Sequence, residues 1–375
     1  MEKVAVIADI ESMFYQVEVP ESQQNLLRFV WWPNGDLKKP LKDFVMKVHI
    51  FGAISSPSCA NFALKKAAND YESVYGEEIA RTLRRNFYVD DMLKCYPSDP
   101  VAVESFPKVV SMCDSAAFHL TKVVSNSREV LKTISKDEVG KEFKELDLSK
   151  DLLPVERVLG VHWSIENDCF GFRITLKDKP MTRRGILSTI SSIYDPLGFA
   201  APYLLQGKLI LQQLCADRKG WDDALTDEQR TSWERWRTNL PKLESIKVNR
   251  CIKPNEFGPV TNTTLHHFSD ASEIAYGQVS YIRVENQNGG IHTTFLMRVS
   301  SSRIGNQLKR ELDLEKVEEH YCTKSEVVLG YLKNESKRFH SYVAHRVSDI
   351  IKVTKKDPGV TYNRKTTQQM TQPVV

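Results

Sequence analysis

Two adjacent aspartates interrupt an apolar segment of the chain. Asp90 and Asp91 lie between Phe87-Tyr88-Val89 and Met92-Leu93. Aspartate tolerates turn backbone, and short apolar runs on both sides of a turn are typical of paired strands. The pattern therefore predicts a β-hairpin that brings two carboxylates side by side. Such a turn is either simply solvated or neutralised by a divalent cation, because like charges repel. Carboxylate oxygens favour Mg²⁺ or Mn²⁺.

A third carboxylate, Asp9, directly follows the unbroken apolar run Val4-Ala5-Val6-Ile7-Ala8. Such a run predicts a strand that is buried on both faces, and a charge at its end is costly unless it is paired or bound to a metal. A strand end and a hairpin turn can together supply three carboxylates to two metals about 3.5–4 Å apart, as in polymerases. Asp9 alone could cap its strand, and a nuclease or phosphatase could use the same three aspartates.

Several ordered segments make the interpretation more specific. Three of them resemble successive reverse-transcriptase motifs: Ala8-Asp9-Ile10-Glu11-Ser12-Met13-Phe14-Tyr15-Gln16-Val17, Phe51-Gly52-Ala53-Ile54-Ser55-Ser56-Pro57 and Tyr88-Val89-Asp90-Asp91. Three more make the chain similar to the Pol polyprotein of BEL/Pao-type LTR retrotransposons: Phe118-His119-Leu120-Thr121-Lys122, Leu159-Gly160-Val161-His162-Trp163 and Ser191-Ser192-Ile193-Tyr194-Asp195-Pro196-Leu197-Gly198-Phe199. The resemblance covers residues 3–350 and argues against the nuclease or phosphatase alternative.

The resemblance implies an α+β fold with four regions. They are a reverse-transcriptase palm with a primer-grip-like hairpin over 1–178, a mainly helical thumb or connection region over 179–258, an incomplete RNase H-like α/β module over 259–350 and a polar tail over 351–375. Helical spacing and start signals predict helices over 58–75, 183–194, 203–217 and 226–239. In the first of these, the spacing predicts that Phe62, Ala63, Ala67 and Tyr71 share one face.

The resemblance also implies roles for single residues. The metal-binding catalytic carboxylates would be Asp9, Asp90 and Asp91, with Ile10 beside them in the metal site and Mg²⁺ or Mn²⁺ as the cofactor. The nucleotide pocket would contain Phe14 as the steric gate that excludes a 2′-hydroxyl, together with Gly52, Tyr88 and Lys122. The primer terminus would contact Leu159, Gly160, Val161, His162 and Trp163. The implied partners are an RNA template, a DNA primer and deoxynucleoside triphosphates. The alternatives are that Phe14 and Trp163 are core residues and that Lys122 is a solvated lysine.

A second metal-binding pattern, which resembles the opening hairpin of an RNase H domain, surrounds Asp270. Asp270 would be the first metal ligand, and RNase H chemistry needs further carboxylates on other elements. Lys324 stands where the family has an aspartate, and a lysine there places a positive charge at a cation site. Only one of the four expected acidic ligands is present, so we expect an inactive RNase H module.

Composition fits a nucleic-acid partner without requiring one. The 375 residues carry a net charge of +4 and are 41% hydrophobic, which is enough for two or three modules with cores. Seven scattered cysteines predict reduced thiols in an intracellular protein, in the cytoplasm or nucleus. No stretch is long enough for a membrane span, and no signal peptide precedes Asp9. Because eight residues precede Asp9, we expect truncated fingers and impaired polymerase activity. An inactive nucleic-acid-binding retroelement remnant is the alternative.

Overall fold

The structure is a computed structural model that describes residues 2–254, 256–271, 276–299, 304–312, 314, 317–323 and 361–362. Lys324 and most of the predicted polar tail lie outside the described residues. The chain divides into an N-terminal unit, residues 2–159 and 163–168, and a C-terminal unit, residues 160–162 and 169 onward. All seven cysteines carry reduced thiols, as predicted. Among the described residues, no helix has both the length and the apolar character needed to cross a bilayer.

Mixed α and β structure forms the first 168 residues. The strands in this part are β1 Val4–Ile10, β2 Arg28–Trp31, β3 Lys42–Val45, β4 Phe87–Tyr88, β5 Asp91–Tyr96, β6 Leu120–Ser125, β7 Val155–Val158 and β8 Val161–Ser164. The α-helices are α1 Glu21–Gln24, α2 Ser56–Asp70, α3 Glu72–Tyr75, α4 Glu77–Arg85, α5 Asp99–Asp114 and α6 Arg128–Lys132. Short 3-10 helices span Met13–Gln16, Asn25–Leu27, Pro33–Gly35 and Lys141–Phe143.

The central sheet of the N-terminal unit has the strand order β4-β5-β1-β6. β1 pairs antiparallel with β5 on one side and with β6 on the other. Val4, Val6, Ala8 and Ile10 of this strand are buried and join a core that also contains apolar side chains of α2, α4 and α5. The prediction of a buried strand before Asp9 is therefore confirmed.

Two local predictions in this unit need correction. The helix predicted over 58–75 begins at Ser56, ends at Asp70 and is followed by the separate helix α3. Phe62 is 71% exposed, whereas Ala60 and Leu64 are fully buried. Consecutive helical residues are about 100° apart, so positions 60 and 64 share a face that position 62 does not. The aromatic at 62 was therefore placed on the wrong face.

The described part of the C-terminal unit combines four α-helices with a larger sheet. Its helices are α7 Arg183–Ser191, α8 Ala201–Ala216, α9 Asp227–Asn239 and α10 Ile304–Glu311, with a 3-10 helix at Leu240–Ser245. Its remaining strands are β9 Cys169–Gly171, β10 Lys247–Asn249, β11 Val260–Ala271, β12 Tyr276–Asn286, β13 Ile291–Val299, β14 Glu318–Thr323 and β15 Thr361–Tyr362. The predicted helices over 183–194, 203–217 and 226–239 are present, but the first ends at Ser191, the second spans Ala201–Ala216 and the third begins at Asp227.

A shared apolar core holds α7, α8 and α9 together. Trp233 and Trp236 of α9 are buried, and their rings stack at 4.9 Å between centroids. A Cβ placed on Gly207 of α8 would lie 2.6 Å from Cζ2 of Trp236, so the close approach of the two helices requires glycine. A capping box of Thr226 and Gln229 starts α9, where acidic residues in the first turn predict a helix start.

The larger sheet has the order β13-β12-β11-β14-β15. β11, β12 and β13 form an antiparallel meander, and β14 adds to β11 in parallel, with His267 opposite Tyr321. Leu265 and Ile282 are buried beneath Leu308 of α10 and Leu312. A parallel strand beside a meander requires a crossover connection, and the chain supplies one that contains α10.

Candidate functional site

Two neighbouring strands bring the three predicted catalytic carboxylates together. Asp9, near the end of β1, lies directly opposite Asp91, the first residue of β5. Directly opposed residues of antiparallel strands have Cβ atoms about 4.5–5.5 Å apart and side chains on the same face. The backbone N–H of Ile10 donates to the carbonyl oxygen of Asp90 at 2.9 Å, which fixes the turn beside the end of β1. The sequence prediction that one strand end and one hairpin meet is therefore matched by the strand register.

The electrostatics of the three aspartates show that their charges interact. The pKa of Asp91 is raised above its ordinary value, first by burial and then by the negative charges of Asp90 and Asp9. Lys122 opposes this rise with its positive charge. Carboxylates that destabilise one another in this way gain most from a bound cation, since a cation favours the charged form of each.

Lys122 lies at a break in the β1–β6 pairing. The register shifts between Ile7 and Asp9, where β6 carries an extra residue, and Lys122 has φ +52°. A β-bulge of this kind redirects side chains. The Lys122 Nζ is 3.0 Å from Asp9 Oδ1, with the lysine side chain 68% exposed and the aspartate 23% exposed. The sequence suggested Lys122 as a nucleotide contact, but no pattern in the sequence indicated the bulge or the ion pair.

The hairpin turn differs from its prediction by one residue. Tyr88 pairs with Asp91, so the turn consists of Val89 and Asp90, and Asp91 belongs to the returning strand. Val89 has φ +58°. Positive φ is strained for a β-branched residue, and such strain concentrates at functional sites. Sequence reasoning had placed Val89 in a strand. The signal it missed is that a two-residue hairpin loop needs positive φ at its first position.

The predicted nucleotide-pocket residues occupy different environments. Phe14 is 6% exposed and its ring centroid is 4.7 Å from that of Phe51, which is 62% exposed. Tyr88 is exposed. Gly52 has φ +91°, and a Cβ added there would meet no atom within 4 Å. The positive φ of this residue therefore favours glycine, because other residues rarely adopt that backbone conformation.

The predicted primer-grip segment is a tight turn followed by a strand. Leu159 has φ +45° and Gly160 has φ +87°, and Leu159 is 40% exposed. Val161 and His162 are half-buried. Trp163 is 1% exposed, and its Nε1 donates to Asp168 Oδ1 at 3.0 Å. Trp163 is therefore packed in the interior, and Leu159 in the turn is the most exposed residue of the segment.

Asp270 of the predicted RNase H site is an exposed residue near the end of β11, opposite Gly277. Lys324, which follows β14, is outside the described residues. Glu311, at the end of α10, is exposed and pairs with Arg310.

Sequence reasoning missed a buried polar cluster in the same sheet. His267 and Glu319 are each 1% exposed, and His267 Nε2 is 3.7 Å from Glu319 Oε1. Ser280 Oγ lies 2.8 Å from His267 Nδ1, and Lys309 Nζ lies 3.2 Å from Glu319 Oε2. Burial raises the pKa of Glu319, but His267 and Lys309 outweigh burial, so the pKa is lowered. Side chains alternate along a strand, so His267 and Asp270 point to opposite faces.

The three aspartates can be compared with what a divalent metal site requires. Asp9, Asp90 and Asp91 are oxygen donors of the kind that Mg²⁺ and Mn²⁺ prefer, and their mutual repulsion is the condition that a cation relieves. In the described part of the chain, no group of three or more His, Cys, Asp or Glu side chains converges closely enough to hold a metal. The aspartates therefore match a metal in their donor chemistry and in the pairing of Asp9 with Asp91, but their side chains as placed do not form a metal site, and the Lys122 ammonium group lies beside Asp9.

The chain is a mixed α/β protein, and its fold resembles that of reverse-transcriptase structures. The chain is similar over its whole length to the foamy viral protease-reverse transcriptase in complex with RNA/DNA hybrid, with 15% identity and a TM-score of 0.54. The same viral protein in complex with dsDNA aligns with 15% identity and a TM-score of 0.50 over 69% of its own length. The chain spans 46% of the length of the first of these proteins.

Residues 182–319 match the family described as Pao retrotransposon-like RNaseH-like domain. The match includes α7 to α9 and the strands of the larger sheet up to Glu319. A search of curated proteins found no match. The family match is thus to a retroelement domain, and the fold similarity is to a viral reverse transcriptase.

Proposed function

We propose that this chain is the RNA-directed DNA polymerase part of a BEL/Pao-type retrotransposon Pol. The observation that carries the proposal is the pairing of Asp9 with Asp91 across β1 and β5, with Asp90 in the adjoining turn. Three carboxylates on one strand end and one hairpin are what nucleotidyl transfer by two metals requires. The structures of the similar viral protein contain an RNA/DNA hybrid or dsDNA, which supports a template RNA and a primer DNA as partners.

Asp9, Asp90 and Asp91 would hold Mg²⁺ or Mn²⁺, together with the main chain at Ile10. When bound, the metal pair supplies activation of the primer 3′-hydroxyl and neutralisation of the leaving pyrophosphate. The 3′-oxygen forms a bond to the α-phosphorus of the deoxynucleoside triphosphate as the bond to the pyrophosphate oxygen breaks. The role of the protein is to position these groups, since phosphoryl transfer depends on positioning and charge.

The neighbouring residues would select and orient the nucleotide. Phe14 is held by its contact with Phe51 and would present its ring edge to the sugar. Gly52 sets a loop conformation that other residues adopt only with strain. Tyr88 is exposed beside the carboxylates, and Lys122 would exchange its contact with Asp9 for the triphosphate. In this proposal, residues near β1, β4 and β6 together form the nucleotide pocket.

A second candidate function is nucleic-acid binding without catalysis. The ion pair between Lys122 and Asp9 favours it, because an ammonium group at 3.0 Å partly neutralises the carboxylate that the metals need. Lys122 in this role would stabilise the site as a structural feature. The two candidates differ in whether the aspartates support nucleotide addition.

Primer extension on an RNA template with Mg²⁺ or Mn²⁺ tests the proposal. The variant Asp90→Asn/Asp91→Asn should lose extension and keep its affinity for the primer–template. Asp70→Asn is the control, because it removes an exposed aspartate that pairs with Lys66 on α2, away from the predicted motifs. Wild-type binding without extension in either metal would favour the second candidate. Extension that survives the double substitution would exclude these aspartates as the catalytic group.

We also propose that the RNase H-like module does not cleave RNA. Asp270 lies on the strand where the first acidic metal ligand is expected. At the position where the family has a second aspartate, this chain has Lys324, whose positive charge disfavours a bound cation. Incubation with an RNA–DNA hybrid should yield no cleavage. Cleavage by the wild type that Asp270→Asn abolishes would disprove this proposal.

A further inference from the structure

Exposed apolar side chains concentrate in the hairpin of β2 and β3 and in the residues beside it. They are Leu26, Phe29, Val30, Trp31, Leu37, Leu41 and Phe44. Every residue of β2 is exposed, and Val30 and Trp31 expose 57% and 52% of their surface. Single exposed apolar residues are ordinary, but a cluster of them marks an interaction surface. The proposed polymerase chemistry uses none of these side chains.

The β2–β3 hairpin is a small sheet of its own. Within the described residues, β2 and β3 pair only with each other. Phe29 lies opposite Phe44, and their rings stack with 5.7 Å between centroids. A hairpin of two strands is only marginally stable in water, whereas a third or fourth strand stabilises it. The hairpin would therefore gain stability from an added strand.

The backbone of β2 directs hydrogen-bonding groups away from β3. The N–H of Met46 donates to the carbonyl oxygen of Leu27 at 3.1 Å, so the bonds to β3 fall at the odd-numbered positions of β2. Arg28 and Val30 lie opposite β3 residues at the positions between these bonds. Their N–H and C=O groups therefore point to the outer edge of the hairpin. An exposed row of such groups is a template for a further strand.

The two edges of the hairpin differ in their protection. Two of the four residues of β3, Lys42 and Asp43, are charged, and Pro40 precedes the strand. Charged residues and proline protect an edge against pairing. The only charged residue of β2 is Arg28, and its guanidinium group pairs with Asp43 across the hairpin at 3.3 Å. Residues 26–32 contain no proline or glycine, which is typical of segments that pair with copies of themselves.

From this geometry we propose that the outer edge of β2 pairs antiparallel with β2 of a second copy of this chain, about a two-fold axis at Val30. The register places Val30 opposite the second copy's Val30 and Arg28 opposite its Trp32. These even-numbered positions carry the outward backbone groups, so they exchange the hydrogen bonds of an antiparallel pair. The inference goes beyond the proposed polymerase function and does not depend on it.

The side chains of β2 match this register. Phe29 lies opposite the second copy's Trp31, and directly opposed residues of antiparallel strands share a face. The stacked pair of Phe29 and Phe44 therefore continues into an aromatic face across four strands, and aromatic pairs contribute more than the area they bury. Arg28 opposite Trp32 is a pairing of cation and ring. One segment thus supplies both halves of the contact, which favours a second copy over an unrelated strand.

Analytical ultracentrifugation of the full chain, freed of nucleic acid, tests the proposal. The wild type should show a reversible equilibrium between monomer and dimer in the micromolar range and no larger species, because a two-fold contact closes at two copies. Val30→Pro removes an outward N–H donor from each copy, and edge strands tolerate proline at such positions. It should weaken dimerisation by at least about tenfold. Val45→Pro is the matched control, because Val45 has the corresponding outward position on β3 and should leave dimerisation unchanged.

Cross-linking tests the register without depending on the proline variants. Hydrogen-bonded residues opposite each other in antiparallel strands have Cα atoms about 5.5 Å apart, within the range of a disulfide. Val30→Cys should therefore form a covalent dimer under mild oxidation. Leu37→Cys places a thiol at a position of the same hairpin that is 72% exposed and should remain monomeric. The wild type gives the background from the seven native thiols.

Cross-linking of Val30→Cys and not of Leu37→Cys would support the proposal even if both proline variants failed to fold. A chain that stays monomeric throughout the micromolar range would overturn it, as would association that occurs only when RNA is added. Equal weakening by Val30→Pro and Val45→Pro, with no Val30→Cys cross-link, would also overturn it. Growth beyond the dimer that Val30→Pro does not stop would exclude a closed contact at β2.

Discussion

Removal of the Lys122 ammonium group should change metal affinity and polymerase rate in opposite directions. In Lys122→Met, Asp9 loses the cation 3.0 Å from its Oδ1. A metal that binds the three aspartates would then no longer displace a lysine. The incoming triphosphate, in contrast, would lose a positive charge. We therefore expect tighter Mn²⁺ binding and slower primer extension in the same variant.

The size of the effect follows from the exposure of the pair. With side chains 68% and 23% exposed, the pair is largely screened by solvent. Exposed ion pairs contribute about 0.2–1 kcal/mol, which corresponds to about 1.4- to 5-fold in a dissociation constant. A gain in Mn²⁺ affinity of that size is the expected result. A buried pair would give a much larger change, and the exposure of Lys122 excludes it.

Mn²⁺ binding can be measured by electron paramagnetic resonance of the free ion, without nucleic acid and without turnover. Lys66→Met is the matched control, because it removes the same charge from an exposed pair with Asp70 on α2. The control corrects for the change in net charge. If Lys122→Met and Lys66→Met bind Mn²⁺ equally, the lysine does not compete with the metal, and the assignment of Asp9 as a ligand loses its support.

Three other predictions concern packing inside each unit. Lys309→Met should lower the local stability of β11 and β14 by about 3–5 kcal/mol in hydrogen exchange at neutral pH, because it leaves the Glu319 carboxylate buried without its ammonium partner. The pKa of the Glu319 carboxyl is lowered in the folded chain, so the ionised carboxylate stabilises the fold fully at pH values above its ordinary pKa of 4.5. This stabilisation is lost as the pH falls through the lowered pKa of the folded chain. Without Lys309 that pKa is less depressed, so in Lys309→Met the loss should begin at a higher pH. Gly207→Ala would normally favour a helix, but here the methyl group would meet Trp236, so denaturant unfolding should show a loss of about 1–3 kcal/mol, and a gain would contradict the packing. Trp163→Phe should destabilise the fold by about 1–3 kcal/mol without changing primer affinity, and a primer-specific loss would restore Trp163 to the primer grip.

Local sequence patterns anticipated the parts of the fold that depend on neighbouring residues. The apolar run before Asp9 indicated a buried strand, and the acidic first turn at Asp227 and Glu228 indicated the start of α9, because burial pattern and helix-start signals are local properties. The order of motifs indicated that Asp9 and the Asp90–Asp91 hairpin meet. Their direct register could not be read from the chain, since pairing depends on both strands at once.

The features that escaped prediction arise from tertiary contacts. The bulge at Lys122 exists because β6 carries one residue more than β1 at that point, which only the paired strands reveal. The His267–Glu319 cluster joins residues 52 positions apart through a parallel strand pair. Phe62 shows the same limit on a helix, where spacing alone does not say which of two faces meets the core.

The position of β1 inside its sheet means that the strand can be retained even when the catalytic role of Asp9 is lost. Both edges of β1 are hydrogen-bonded, and its apolar side chains are part of the core, while the Asp9 carboxylate is 23% exposed. Folding therefore depends on the backbone that carries Asp9 and depends little on the carboxylate itself. A copy of this sequence in which the aspartates had been replaced would still build the same sheet. In descendants of such a sequence, substitutions of the aspartates would accumulate before substitutions that disrupt the strand.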